Sequence, residues 1–145
     1  MKYTTSILIN APIQKVVQLW QNEAYFNQWQ DGFKSMELLE GIPNTVGAKS
    51  KIILDGDRRI ELIETILVNN LPTEKTALYE HIHMINTQTS RFESIGTDKT
   101  RYISEVEYLQ FNGLMIKLMA FLFPSKFKAQ SQKWMNQFKE FVERS

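Results

Sequence analysis

The chain has 145 residues, 43% hydrophobic and 23% charged, with a net charge of +1 and no cysteine. This composition suits one globular domain over residues 1–145, long enough to bury a sizeable core, and speaks against a disordered or fibrous chain. The charge balance supplies no global field for nucleic acid, and the lack of cysteine excludes disulfide frameworks, thiolate metal sites and a cysteine nucleophile.

Tyr3, Thr5, Ile7 and Ile9 alternate with Thr4, Ser6, Leu8 and Asn10, the period of two expected of a first strand. Polar residues run through Ser6, so the start lacks the apolar core of a signal peptide. Pro12 suits a helix beginning, because its missing N–H would be unpaired there anyway. Ala11 to Trp20 is therefore predicted helical, with Ile13, Val16, Val17 and Trp20 as its apolar side. A second short helix is predicted over Glu23 to Trp29, with Tyr25, Phe26 and Trp29 packing inward.

Strand patterns then follow one another across short turn signals. They are Phe33–Glu40, Gly47–Leu54, Arg59–Val68, Thr76–Ile85, Thr89–Ile95 and Thr100–Phe111. Asp55-Gly56 is a two-residue hairpin signal. Connections this short imply antiparallel neighbours in sequence order. From Gly113 to Val142 the chain is predicted as one long helix, kinked or broken at Pro124. Phe127, Ser131, Trp134, Phe138, Phe141 and Val142 make one stripe of its second part. The first part, Leu114 to Phe123, is apolar nearly all round and needs cover. It spans about half the ~20 residues of a membrane crossing, and Lys117 interrupts it. The readings open for it are a cavity wall, a lid, a dimer contact and a shallow membrane anchor. Stable membrane insertion is not expected, and the oligomeric state is left open; the expected location is the cytoplasm.

This order of elements resembles the START-like superfamily with its helix-grip fold, and most of all the polyketide cyclase/dehydrase-like proteins. Ile9-Asn10-Ala11-Pro12 is similar to the family's entry into its first helix, and Trp29 to the tryptophan closing the second. Gly41 and Gly47 match glycines around the second turn. Phe92 followed by Thr100 resembles the last strand pair, and Phe138-Lys139-Glu140-Phe141-Val142-Glu143 the ending of the last helix. Val17 stands where members often carry an aromatic residue, and Gln14 where they often carry an acid. The resemblance implies an α+β helix-grip fold. About seven curved antiparallel strands would wrap the C-terminal helix, with two short helices after the first strand and a cavity in between. It leaves the activity open, because the superfamily holds cyclases, lipid carriers, hormone receptors and cochaperones.

Glu64 shares the parity of Ile60, Leu62, Ile66 and Val68, so it is expected to point inward, where an unpaired carboxylate is costly. If Ile66 faces Tyr79, Glu64 lies opposite His81, and Glu64, Tyr79, His81 and His83 form a polar patch. Glu64, His81 and His83 are the acid/base candidates. Hydrophobicity alone favours the other face of that strand, with Leu78, Ile82 and Met84 inward and the histidines in solvent. Two histidines without a third ligand do not make a metal site, and no cofactor is implied. Tyr102 and Tyr108 share a face of the last strand and are candidates to offer hydroxyls to a ligand. The cavity wall is expected to draw on Trp29, Phe92, Tyr102, Met115, Met119, Phe123 and Trp134. The preferred function is binding or carrying a small hydrophobic molecule. The alternatives are a cyclase/dehydrase-like enzyme using the same cavity, or an interaction and membrane-contact module working through residues 114–123.

Overall fold

A computed structural model describes residues 1–145. Strand β1 (Lys2–Ile9) leads through Pro12 into helix α1 (Ile13–Gln21), and a 3₁₀ segment follows over Glu23–Gln28. Six strands come next: β2 (Phe33–Glu40), β3 (Lys49–Asp55), β4 (Arg59–Asn70), β5 (Glu74–Glu80), β6 (Met84–Ser94) and β7 (Thr100–Phe111). Helices α2 (Leu114–Leu122) and α3 (Pro124–Glu143) close the chain. All seven strands form one antiparallel sheet in the order β1-β7-β6-β5-β4-β3-β2. The α+β helix-grip architecture expected from the sequence is the one observed.

The C-terminal helix is broken at Pro124, as expected: Pro124 opens α3, because it has no N–H to give to the turn before it. Several other local features differ from the expectations. The β3–β4 turn is the three residues Gly56-Asp57-Arg58 rather than the two-residue Asp55-Gly56. The β5–β6 turn falls on His81-Ile82-His83, so Asn86, Thr87 and Gln88, polar enough to read as a turn, belong to β6. The β4–β5 register is also shifted. Ile66 pairs with Ala77 rather than Tyr79, and Glu64 with Tyr79 rather than His81.

The concave face carries Ile9, Thr5 and Tyr3 from β1, and Thr100, Tyr102, Ser104 and Val106 from β7, which pair across the ladder. The second half of α3 packs into this face against β1 and α1. Phe138, Ile9, Val16 and Val142 are fully buried there, joined by Trp29, Phe92, Tyr102, Met135 and Phe141. The aromatic rings interlock. Phe138 meets Trp29 edge-on with centroids 5.0 Å apart and Tyr102 at 5.8 Å. Tyr102 stacks on Phe92 at 4.8 Å. The Thr100 hydroxyl donates to the Ala11 carbonyl at 2.8 Å and fastens the β1–α1 corner to β7. A second aromatic group forms under the start of α3, where Tyr108 stacks on Phe111 at 5.2 Å and meets Phe127 edge-on at 5.2 Å.

Phe138 joins the sheet, α1 and the Trp29 turn, so its truncation leaves a void that none of them can close alone. Phe138→Ala is expected to cost about 3–5 kcal/mol in denaturant unfolding; a cost under about 1 kcal/mol would show that the helix is not the centre of the fold.

Candidate functional site

Beyond Phe138 the sheet curves away from α3, and the space between them is not filled. A cavity of about 210 Å³ opens there. One end is apolar, from Ile52 and Leu54 of β3 and Leu62 of β4. Trp20, Phe26, Trp29 and Trp134 cover it from the helical side. The middle of the sheet supplies Glu64, Lys75, Ala77, Tyr79, Asn86, Gln88 and Ser90, and the helical side adds Gln21 and Gln30.

Register explains why these residues meet. Glu64 pairs with Tyr79, Tyr79 with Asn86, Ala77 with Gln88 and Lys75 with Ser90, so three strands present one face in step. Glu64 is 7% exposed. The Tyr79 hydroxyl donates to Glu64 Oε2 at 2.8 Å, a charge-assisted bond that compensates the buried carboxylate. Burial raises the Tyr79 pKa well above its ordinary value, and the adjacent Glu64 charge adds to it, so the phenol keeps its proton. Lys75 does not pair directly with Glu64. Its ammonium lies 5.6 Å from the centroid of the Trp20 ring. Burial lowers its pKa, and the Glu64 charge partly restores it. Gln88 Nε2 donates to Ser104 Oγ at 3.2 Å. The Trp29 indole N–H is buried with no acceptor, an orphan donor that is rare in a filled core.

At the mouth, Asp31 gathers three groups of α3. It accepts from Trp134 Nε1 at 3.3 Å and Gln137 Nε2 at 3.3 Å, and pairs with Lys133 at 2.9 Å. The Lys133 hydrogen bond is the main reason its carboxyl titrates below the usual value, against a smaller opposing effect of burial. Gly32 follows at φ +73°, where a Cβ would stand 2.8 Å from the Gly56 N. Only glycine lets this loop close on the β3–β4 turn. The clasp holds Trp134 over the cavity.

The structure sorts the sequence candidates into three groups. Trp29, Glu64, Tyr79 and Trp134 line the cavity. Phe92 and Tyr102 lie behind it in the packed core, where the Tyr102 hydroxyl accepts from Trp20 Nε1 at 3.2 Å. Tyr108 belongs to the second aromatic group instead. The remaining placements are corrections. His81 and His83 are in the β5–β6 turn, with rings 5.4 Å apart, and no third metal ligand gathers with them. They are away from Glu64 because the strand ends at Glu80. Met115, Met119 and Phe123 are 78%, 42% and 49% exposed, because α2 projects from the body instead of covering the sheet. Among the lining residues that the sequence reading did not name for the cavity are Trp20, Lys75, Asn86, Gln88 and Ser90. A polar inward face on β6 has the look of a turn, and only Trp20 carried a usable signal, its helical spacing.

No family model matches the chain, and no curated protein matches its sequence. Solved structures share its shape. TTHA0849 from Thermus thermophilus is 14% identical, with 99% of this chain and 98% of that one covered and a TM-score of 0.79. The Zhui aromatase/cyclase from Streptomyces sp. R1128 is 9% identical, with coverage of 99% and 94% and a TM-score of 0.81. Ara h 8.0201 is 12% identical, with coverage of 100% and 99% and a TM-score of 0.73. The fold is thus the helix-grip fold that the sequence resemblance implied.

Burial raises the pKa values of Tyr79, Tyr102 and Tyr108 above the ordinary 10.0. Each keeps its proton in the folded chain where the unfolded chain has lost it. Their contribution to stability is therefore full below pH 10.0 and declines as pH rises toward the folded values. In an alkaline titration the expected result is tyrosinate absorbance for these three that appears in step with loss of the near-ultraviolet circular dichroism of the folded state. Titration of all five tyrosines in the folded chain would contradict the placement.

Proposed function

We propose that the chain binds, and carries or holds, one small and mostly apolar molecule in the cavity between sheet and α3. The observation that carries this reading is a cavity of about 210 Å³ with an apolar end and a buried carboxylate–phenol pair in its wall. A mostly apolar hollow with a few convergent polar groups is the usual form of a small-molecule site.

The dimensions and charges narrow the ligand. A cavity of about 150 Å³ admits benzene, so this one suits a substituted ring or two fused rings. Glu64 and Lys75 are the only charged groups in the lining and have opposite signs, so a neutral ligand fits best. Glu64 Oε2 already accepts from Tyr79. The carboxylate retains further lone pairs for a ligand hydroxyl or N–H.

A cyclase- or dehydrase-like enzyme is the second reading, favoured by the same pair. Two acid/base groups within hydrogen-bond reach in one cavity are what such chemistry requires. Glu64 would take a proton, and Tyr79, which holds its own, would orient the carboxylate or a substrate oxygen.

β-Naphthol, a hydroxylated fused ring, and naphthalene, its unsubstituted counterpart, test both size and polarity through the fluorescence of Trp20, Trp29 and Trp134. Ala77→Trp fills the cavity and is expected to weaken β-naphthol by at least about tenfold. Glu64→Gln is expected to weaken β-naphthol but leave naphthalene nearly unchanged. Wild-type affinity in Ala77→Trp would refute the site. Unchanged binding of a true substrate with abolished turnover in Glu64→Gln would favour the enzyme.

A further inference from the structure

Helix α2 is the least covered apolar element of the molecule. Leu114, Met115 and Phe121 are 84%, 78% and 81% exposed, and Leu118, Leu122 and Phe123 about half. Its contacts are chiefly with α3. The β5–β6 turn extends the patch: the Asn112 N–H donates to the His83 carbonyl at 2.8 Å, bringing Ile82, 76% exposed, beside the helix start. Contiguous exposed apolar surface of this kind marks an interaction site.

The charge around the patch identifies its partner. Residues 108–139 hold five lysines and no Asp or Glu, leaving twelve basic and sixteen acidic residues in the rest of the chain. Lys133 is taken up by Asp31 and Lys139 by Glu143. Lys117, Lys126 and Lys128 are exposed and have no acidic partner, and the Lys126 ammonium sits 4.8 Å from the centroid of the Phe123 ring. The near-neutral whole thus conceals a positive end that carries the exposed phenylalanines and leucines.

We propose that α2 and the first turn of α3 dock on an anionic phospholipid surface. Helix α2 would lie in the headgroup plane, its leucines and phenylalanines in the acyl boundary and Lys117, Lys126 and Lys128 on the lipid phosphates. The nine residues of α2 rise only ~14 Å, and no helix is long and apolar enough to cross a membrane. The surface therefore rests on the bilayer and does not span it. A second copy of the chain fits less well, because twofold pairing of α2 on α2 brings both sets of lysines together.

Co-sedimentation with vesicles tests the proposal, with phosphatidylcholine alone set against an equal mixture with phosphatidylglycerol. The chain is expected to bind the mixed vesicles and to release them at high salt. Affinity for pure phosphatidylcholine should be lower by at least about tenfold. Phe121→Asp combined with Leu118→Asp should abolish binding. Charge reversal at Lys117, Lys126 and Lys128 should weaken it on the order of a hundredfold. These side chains lie outside the buried cluster, so the variants should keep the wild-type melting temperature, which shows that any loss is not unfolding. Failure of the wild type to bind mixed vesicles, equal binding to neutral ones, or variants that bind as the wild type would overturn the proposal. So would a dimer in sedimentation velocity that Phe121→Asp dissolves while vesicle binding persists.

Discussion

Phe138 sits where every layer of the molecule meets. Its ring is fully buried against Trp29 from the helical side and Tyr102 from the sheet, with Met135 and Val142 beside it on α3. Seven twisted antiparallel strands cannot bury one face without a covering element. A single helix covers only part of a sheet that wide. Where Phe138 and its neighbours fill the concavity there is a core, and where α3 ends its reach there is a cavity. Both are consequences of one packing contact.

The polar content of the concave face follows from the same division. Thr5, Ser90, Thr100 and Ser104 are buried and small, which lets the aromatic rings of α3 and α1 come close. Glu64 and Tyr79 satisfy each other, and Lys75 rests over Trp20. A buried carboxylate with one hydrogen bond contributes little to stability against an apolar residue of the same size. It stands in the cavity wall with Leu62 and Ala77, where the proposed ligand would meet its free lone pairs. The Asp31 clasp acts at the other side, holding Trp134 over the opening through three groups of one helix.

Helix α2 obeys a different constraint. Everything from Tyr108 to the start of α3 lacks acidic residues, and most apolar side chains of α2 stay largely in solvent. The cavity and this surface rest on separate observations. A chain that holds an apolar molecule and also touches lipid would have a source or a destination for its cargo.

Much of the architecture was legible in residue order. The alternation of β1, the Pro12 helix start, the spaced strands and the Phe127–Val142 stripe each follow from a local period that the backbone imposes. The order of those elements resembles the START-like proteins, and that resemblance implied the helix-grip fold; the inward turn of Glu64 takes only strand parity. What lies opposite Glu64 was not legible. The turn at His81-Ile82-His83 and the β4 bulge between Ile66 and Val68 set the register, and a one-residue slip exchanges the faces of a strand. Asn86, Gln88 and Ser90 were hidden because a polar inward face lacks the hydrophobic alternation that marks a strand. Met115, Met119 and Phe123 were apolar enough for any wall, but composition cannot say whether a helix folds over the sheet or away from it. Local sequence therefore determined the elements and the face of each. The pairing of distant strands and the docking of α3 decided which side chains share a cavity and which are left to solvent.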